Sequence, residues 1–276
     1  MWFKDKFIDL SQPRVMGILN VTPDSFSDGG SFSGIDNALR QTELMLQEGA
    51  DFIDVGGEST RPGAEYVSLQ QELDRVIPVI ESIKQRFDTV VSVDTSKAQV
   101  MSDAVNAGAG LINDVRALQE EGALEAAVLA QVPVCLMHMQ GQPRQMQQNP
   151  MYDMVTEDVL VFLRQRIAKC ESAGISLDKI IVDPGFGFGK SLEHNYQLLA
   201  ELLQFKALEV PVLVGMSRKS MLGKLLNRDI EQRLAGGIAV ATIAVQQGAN
   251  IVRVHDVKET VDAVKVVAAL NAYRKK

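Results

Sequence analysis

Short apolar runs rich in β-branched residues recur along this chain, and each is followed by a longer segment with helical periodicity. Eight such runs can be counted, at 15–20, 51–56, 89–94, 110–114, 132–138, 179–184, 210–216 and 250–255. The clearest amphipathic segments between them lie at 36–48, 69–86, 156–172 and 231–247. Helix ends are indicated by Gly49, Gly108, Gly174 and Gly248. Runs that are apolar on both faces are typical of parallel strands covered by helices on both sides.

Eight strand–helix units in a chain of 276 residues predict a single α/β domain, a (β/α)8 TIM barrel spanning 1–276. A doubly wound open sheet is the structural alternative, because it is built from the same units. No Pro/Gly/Ser-rich linker or change of composition divides the chain. Residues before about Arg14 precede the first run and predict a short N-terminal extension, either an extra strand or an arm.

Charge and cysteine content narrow the classes of function. The net charge of −7 argues against nucleic acid or an anionic membrane as a partner. No apolar run approaches the ~20 residues that cross a bilayer, and the first ten residues do not form a signal peptide. Cys135 and Cys170 are isolated, which predicts two buried thiols rather than a disulfide framework. A cytoplasmic enzyme is therefore expected.

Polar or ionisable residues stand at the end of every run or just beyond it. They are Asn20, Asp54, Asp94, Asn113, Asp114, His138, Asp183, Lys219, Arg253 and His255. One of them alone, such as Asp94, could simply cap the helix that follows. In a TIM barrel, however, the carboxyl ends of all strands converge on one face, where the active sites of this fold lie. The whole set therefore predicts a site at that face.

The chemistry of these side chains is mixed. Three carboxylates, Asp54, Asp94 and Asp183, suit a ligand that carries hydrogen-bond donors, because a carboxylate accepts two parallel N–H bonds. Asn113 can both donate to and accept from the same ring. The cationic residues Lys219, Arg253, His255 and Arg61 suit anionic groups. A heterocycle with an amino-pyrimidinone edge could bind the carboxylates and Asn113, and a phosphate attached to it could bind the cationic residues.

Loop and metal motifs add detail. Three long polar connections, at 21–34, 57–68 and 141–149, should share one barrel face as binding loops. The segment 183–191 (DPGFGFGKS) ends like a P-loop, but Pro184 stands where the first glycine is required, so a glycine-rich turn is predicted instead. The three histidines lack zinc-ligand spacing. Mg²⁺ carried in by a diphosphate is compatible, because it needs few protein oxygens.

The order and identity of the motifs resemble those of the dihydropteroate synthases, the pterin-binding family that sulfonamides inhibit. The matching segments are GILNVTPDSFSDGG (17–30), DVGGESTRPG (54–63), SVDTSK (92–97), INDV (112–115), LMHMQG (136–141), DPGFGFGK (183–190), GMSRKS (215–220) and RVHDV (253–257). They span nearly the whole chain. One departure is Phe186, where family members more often carry isoleucine, and it lies in a turn.

The resemblance implies a barrel that joins (7,8-dihydropterin-6-yl)methyl diphosphate to 4-aminobenzoate and releases pyrophosphate. Implied pterin contacts are Asp94, Asn113, Met137, Asp183, Phe188, Gly215 and Lys219. Implied diphosphate contacts are Asn20, Arg61, Arg253 and His255, with Asn20 helping to hold Mg²⁺. Implied aminobenzoate contacts are Phe26, Thr60, Arg61, Pro62 and Ser220. Met137 and Phe188 could pack on the ring, or could simply belong to the core.

The catalytic set implied by the resemblance is Asn20, Lys219, Arg253 and His255. Family members are homodimers, and the last two helices would form the interface. Two alternatives remain open at this point. One is a pterin-binding enzyme that moves a methyl group from a methyltetrahydrofolate, and the other is a pterin-binding barrel without catalytic activity. The first has no use for the 17–30 segment or for Arg253 and His255. The set Asn20, Arg61, Lys219 and Arg253 counts against the second.

Overall fold

The computed structural model describes residues 1–22, 30–59, 66–141 and 150–273, with the backbone alone for residues 30–33. The strands are β1 (Trp2–Phe3), β2 (Lys6–Phe7), β3 (Arg14–Asn20), β4 (Phe52–Gly56), β5 (Val90–Asp94), β6 (Leu111–Asp114), β7 (Val134–Met137), β8 (Ile180–Asp183), β9 (Leu213–Val214) and β10 (Ile251–Val254). The α-helices are α1 (Gly30–Gln47), α2 (Leu69–Arg86), α3 (Ala98–Asn106), α4 (Ala123–Ala130), α5 (Val155–Ala173), α6 (Leu192–Ala200), α7 (Ser220–Leu226), α8 (Leu234–Gln246) and α9 (Val257–Tyr273). Short 3₁₀ helices cover Leu177–Lys179, Leu202–Leu208 and Ile230–Gln232.

Strands β3 to β10 form one parallel sheet in the order β8-β7-β6-β5-β4-β3-β10-β9. The two edges of this sheet meet, because Val182 and Val212 form a parallel bridge and the Val182 amide donates to Pro211 O at 3.0 Å. The sheet is thus a closed cylinder with helices between successive strands. This confirms the TIM barrel and excludes the open doubly wound sheet.

Some element bounds differ from those predicted. Helix α1 begins at Gly30, not near residue 36, so the connection after β3 is shorter than 21–34. The helix expected at 231–247 begins at Leu234, after a 3₁₀ turn. Strand β9 contains two residues although the apolar run around it contains seven. Pro211 explains part of this shortening, because proline has no N–H to donate to a neighbouring strand.

Residues 1–13 form the N-terminal extension, in which β1 and β2 pair as an antiparallel hairpin. Phe3 is 1% exposed and packs edge-on against Phe52, with ring centroids 5.0 Å apart. The hairpin contributes to a core cluster with the first inward-facing residue of each barrel strand. That cluster contains Phe3, Ile8, Leu10, Met16, Phe52, Val90, Leu111, Cys135, Ile181, Leu213 and Ile251. The extension therefore fills the amino-terminal end of the barrel with apolar side chains.

Local signals for the helix ends are confirmed. Gly49, Gly108, Gly174 and Gly248 all have φ between 100° and 117°, the left-handed conformation that ends helices. Helix α2 begins with a capping box, in which Ser68 and Gln71 bond each other's backbone amides. Both cysteines are buried free thiols. Within the described residues, no helix is long and apolar enough to span a bilayer.

Candidate active site

The polar residues at the strand ends form a second layer above the apolar base. Side chains two residues apart in a strand share one face, so Phe52 and Val90 in the base are followed by Asp54 and Ser92. The same step leads from Ile251 at the base to Arg253. On β6 and β8 the step leads from Leu111 to Asn113 and from Ile181 to Asp183. On these five strands the barrel interior therefore changes from apolar to polar or charged two residues further along, at the carboxyl end predicted to hold the site.

Arg253 is the centre of this layer. Its Nε donates to Asp54 Oδ2 at 2.5 Å and Nη2 donates to Asp94 Oδ2 at 2.7 Å. Asn113 Nδ2 donates to the same Asp54 oxygen at 3.2 Å. Within the described residues, Asp54 Oδ1 and Ser92 Oγ are buried without a hydrogen-bond partner. The structure thus brings together four of the strand-end residues in one network, and leaves acceptor capacity in it.

Charge in this network is unequal, with two carboxylates to one guanidinium. Burial opposes the charge on Arg253, but Asp54 and Asp94 outweigh it and hold the pKa of Arg253 above its ordinary value. Burial raises the pKa of Asp94 to about 7, against the attraction of Arg253 and with the repulsion of Asp54. Near neutral pH, Asp94 is therefore present in both its protonated and its ionised form.

A second group lies on the turn after β8. Asp183 Oδ1 accepts from the Gly185 amide at 2.7 Å, and Lys219 Nζ donates to Phe186 O. The Lys219 ammonium also lies 4.3 Å from the centre of the Phe188 ring, a cation–π contact. Its stem passes so close to Gly187 that a Cβ there would lie 3.0 Å from Lys219 Cδ. Lys219 is therefore held against the glycine-rich turn.

Burial shifts the pKa values of Asp183 and Lys219 in the direction that favours the neutral form of each side chain. It raises the pKa of Asp183, opposed mainly by Lys219. It lowers the pKa of Lys219 to about 8, opposed by Asp183 and Asp94 and reinforced by Arg253. The two groups are thus within electrostatic reach of the Arg253 network, as the prediction of one shared mouth requires.

The segment 183–191 is a glycine-rich turn and not a P-loop. Lys190 is 2% exposed, and Nζ donates to Gly185 O at 2.8 Å and to Phe188 O at 3.1 Å. The same nitrogen lies 2.9 Å from His138 Nδ1. Burial is the main reason that the pKa of Lys190 is lowered and the pKa of His138 falls to about 2. Lys190 therefore stabilises the turn, and the imidazole ring of His138 lies against its ammonium group.

The remaining predicted residues occupy the rim. Asn20 is exposed, and the strand register aligns it with Gly56 and Asp94 across neighbouring strands. His255 Nδ1 lies 3.1 Å from Ser217 Oγ, which also accepts from the His255 amide. Ser220 is exposed in the first turn of α7, which begins directly after Lys219.

The apolar wall of the mouth is a small separate cluster. Val115, Met137 and Phe188 are buried against one another, with Met139 packed beside them. Gly215 is buried beside Arg253, where a Cβ would lie 3.9 Å from Arg253 Cβ. Four predicted contacts, namely Phe26, Thr60, Arg61 and Pro62, lie outside the described residues.

Sequence reasoning missed one pairing and two residues of this site. Asp54 was expected to face a ligand, but its Oδ2 is bonded to Arg253 and Asn113. Ser217 and Lys190 were not singled out as functional, although both lie inside the GMSRKS and DPGFGFGK motifs. Position within a motif at a strand end was the available signal for both residues.

The metal requirement at this mouth is small. Within the described residues, no group of three or more His, Cys, Asp or Glu side chains could hold an ion alone. A magnesium ion that travels with a diphosphate needs only one or two protein oxygens. The exposed amide of Asn20 at the end of β3 is a hard oxygen ligand of that kind. The donor set therefore fits such an ion.

A closed parallel barrel with carboxylate, amide and cationic groups converging on its carboxyl end defines a TIM-barrel enzyme that binds a small polar molecule. The model of the family described as "Pterin binding enzyme" matches residues 16–255. The dihydropteroate synthase of Escherichia coli strain K12 is 57% identical over 262 residues, which are 95% of this chain and 93% of that protein. The chain belongs to the dihydropteroate synthase family of pterin-binding transferases.

Solved structures agree with this assignment. A Yersinia pestis dihydropteroate synthase in a sulfonamide drug complex is 58% identical, covers 98% of each chain and superimposes with a TM-score of 0.93. A Xanthomonas albilineans dihydropteroate synthase with 4-aminobenzoic acid is 51% identical, with a TM-score of 0.91 and coverage of 96% of this chain and 95% of that chain.

Proposed function

We propose that this chain condenses (7,8-dihydropterin-6-yl)methyl diphosphate with 4-aminobenzoate to give 7,8-dihydropteroate and pyrophosphate, a step of folate biosynthesis. The observation that carries the proposal is the charged layer on the apolar floor of the barrel, where Asp54, Asp94, Asn113 and Arg253 form one network beside Asp183 and Lys219. The names of the relatives and the presence of 4-aminobenzoic acid in a similar structure support it.

The pterin ring would rest on this layer. Asp94, Asn113 and Asp183 would bond its amino-pyrimidinone edge, because carboxylates accept from paired N–H groups. Lys219 would donate to the acceptors of the ring, since its ammonium already points at a carbonyl over the Phe188 ring. The lining would come from Met137, Phe188 and Gly215, which are buried at the mouth.

The reaction breaks the C–O bond between the pterin methylene and the diphosphate, and forms a C–N bond to the amine. The pterin ring can stabilise positive charge on the methylene carbon, so the protein acts mainly through position and electrostatics. Arg253 and His255, with Arg61, would bind the departing diphosphate, and the amine proton is lost to solvent. No covalent intermediate with the enzyme is needed.

Magnesium would be held by Asn20 together with diphosphate oxygens, and supplies positive charge that stabilises the leaving group. The aminobenzoate would contact Phe26, Thr60, Arg61, Pro62 and Ser220. The position of Ser220 supports its proposed contact with aminobenzoate, because it lies at the exposed start of α7, next to Lys219. Other polar residues of the rim would orient these groups; Ser217, for example, lies 3.1 Å from His255 Nδ1.

We also infer a cytoplasmic homodimer. Buried free thiols at Cys135 and Cys170 suit a reducing compartment. Helices α7, α8 and α9 expose large apolar side chains, which is unusual for a surface that faces only water. These side chains are Leu225, Leu226, Leu234, Ile243, Val266, Leu270 and Tyr273. They support a dimer through the last helices.

The decisive experiment measures pyrophosphate release from the pterin diphosphate with Mg²⁺, with and without 4-aminobenzoate. We expect release that depends on the amine, forms 7,8-dihydropteroate in equal amount and falls when the metal is chelated. Binding of the pterin without any release would favour a non-catalytic barrel. Methyl transfer from a methyltetrahydrofolate in place of release would favour the methyltransferase.

A further inference from the structure

Lys97 lies three residues beyond Asp94, in the connection between β5 and α3, and is the centre of an ion cluster. Its Nζ lies 2.5 Å from Glu58 Oε2 and also contacts Glu72 Oε2. Glu58 follows β4, whereas Glu72 belongs to the first turn of α2 and is 1% exposed. We call Lys97, Glu58 and Glu72 the Lys97 cluster. It joins three elements at the carboxyl end of the barrel.

The Lys97 cluster holds the beginning of the connection between β4 and α2. Glu58 is bound by Lys97, and Gly57 O accepts from Arg75 Nη1 at 2.9 Å. A Cβ on Gly57 would lie 2.7 Å from Val76 Cγ2, so the backbone there is pressed against α2. Position 57 therefore requires glycine, and the path of the chain is fixed up to Glu58.

Lys97 also contacts the other end of the same connection. The Tyr66 ring lies with its centre 5.7 Å from Lys97 Nζ, within cation–π distance, although Tyr66 is 68% exposed. One ammonium group thus touches a residue before and a residue after positions 60–65. Lys97 therefore links the two ends of the connection directly.

The surroundings of Lys97 favour its protonated form. Burial opposes the charge, but hydrogen bonds to Glu58 and Glu72 outweigh it, and the pKa of Lys97 is raised. Within the described residues, Glu72 Oε1 is buried without a hydrogen-bond partner. Glu72 therefore depends on Lys97, because an unpaired buried carboxylate is strongly disfavoured. Asp94, in contrast, pairs with Arg253 and has no hydrogen bond to this cluster, although the negative charge of Glu72 contributes to its raised pKa.

We propose that Lys97 is a positioning residue for the amine half of the reaction, which holds together the two ends of the connection that carries the proposed aminobenzoate contacts. The proposal rests on the proposed function, since it assigns that connection to the second substrate. Lys97 touches neither the pterin layer nor the reacting atoms. Substitution of Lys97 should therefore raise KM for 4-aminobenzoate and leave KM for the pterin diphosphate almost unchanged.

The test is a comparison of KM for the two substrates in Lys97→Met, Lys97→Arg and wild type. We expect Lys97→Met to raise KM for 4-aminobenzoate about tenfold, which corresponds to roughly 1.4 kcal/mol of lost binding free energy. KM for the pterin diphosphate should stay within about twofold of wild type, because Lys97 contacts none of the described residues proposed to bind it. Lys97→Arg keeps the charge and should restore most of the loss.

Lys6→Met is the matched control. Lys6 Nζ lies 3.0 Å from Asp88 Oδ2 at the amino-terminal end of the barrel, so this change also removes a lysine–carboxylate pair, but far from the mouth. Both KM values should equal those of wild type. Equal changes in both KM values of Lys97→Met, or a loss in kcat alone, would overturn the proposal.

Glu58→Gln provides a second variant in case Lys97→Met does not fold, since it leaves the buried pair of Lys97 and Glu72 in place. Its KM for 4-aminobenzoate should rise in the same direction by a smaller factor. An unchanged value in a folded Glu58→Gln enzyme would also overturn the proposal. If wild type releases no pyrophosphate, the proposed function itself fails. Active wild type with unaffected variants would reject only the role of Lys97.

Discussion

At the scale of single residues, the site depends on the unequal charge around Arg253. Two carboxylates, Asp54 and Asp94, share one guanidinium, and each lies at hydrogen-bond distance from it. With both acids ionised the group is negative, and a proton on Asp94 makes it neutral. Burial favours the neutral state, which explains why the pKa of Asp94 rises to about 7 and not below its ordinary value.

Pterin binding should therefore depend on pH. Below pH 7 Asp94 is largely protonated and accepts hydrogen bonds less well. Above pH 7 it is ionised and can accept from the N–H groups of the ring, so pterin affinity should increase as pH rises through 7. Titration calorimetry between pH 6 and pH 8 measures this, and Asp94→Asn should bind weakly and flatten the profile. A wild-type affinity that falls over that interval would contradict the role of Asp94.

Much of this layer could be predicted from sequence, and its pairing could not. Strand ends in a parallel barrel converge by geometry, so Asp94, Asn113, Asp183 and Arg253 were expected at one mouth. Arg253 and Asp54 are 199 residues apart in the chain, and no local pattern indicates that they bond. Asp54 was therefore assigned to a ligand, when the partner of its Oδ2 is a residue of the protein.

At the scale of elements, the turn after β8 shows where backbone geometry determines the residue. Gly185 has φ of +72°, and a Cβ there would lie 1.8 Å from His138 O. The turn packs directly on the end of β7, while Lys190 bonds its carbonyl groups from within. The glycines predicted a turn, but only the structure shows that they are needed for close packing of two strand ends.

Gly185→Ala should unfold the protein at a markedly lower denaturant concentration. The left-handed conformation and the contact with His138 O together predict a loss of more than about 3 kcal/mol in the free energy of unfolding. Gly174→Ala is the control, since Gly174 has φ of +105° with nothing within 4 Å of a Cβ. It should lose only about 1 kcal/mol, from conformation alone. Equal losses in the two variants would contradict the packing argument.

At the scale of the whole molecule, the barrel is asymmetric along its axis. Its amino-terminal end is filled by the hairpin of β1 and β2 together with one apolar residue from each strand, and its other end is charged. The apolar residues that stabilise the fold and the polar residues of the proposed active site therefore lie at opposite ends of the same strands. The number and order of the strands were predicted from sequence. The position of the hairpin was not, because its two-residue strands are too short to show a pattern.

Phe3→Ala tests this separation. Removal of a fully buried phenylalanine leaves a cavity and should cost ~3–5 kcal/mol of unfolding free energy. In enzyme that remains folded, KM for both substrates should be unchanged, because Phe3 lies below the charged layer. Phe7→Ala in the same hairpin is the control, since Phe7 is 56% exposed and should cost less than about 1 kcal/mol. Chemical denaturation together with steady-state kinetics decides the question.

The proposed dimer is tested by placing charge on its apolar face. Val266 is 68% exposed on α9 and Leu129 is 82% exposed on α4. Val266→Glu should shift the protein toward monomer in light scattering coupled to gel filtration, because an unpaired charge in an apolar interface is strongly disfavoured. Leu129→Glu lies on another face and should leave the mass unchanged. A monomeric wild type would refute the interface.

The hairpin beneath the barrel also restricts the route by which ligands reach the site. Because Phe3 and its neighbours fill the amino-terminal end of the cylinder, ligands would reach the charged layer from the carboxyl end. Whatever lies deepest has to enter first, and the heterocycle on the floor would thus precede the amine. Pyrophosphate would leave by the same passage through which the amine came.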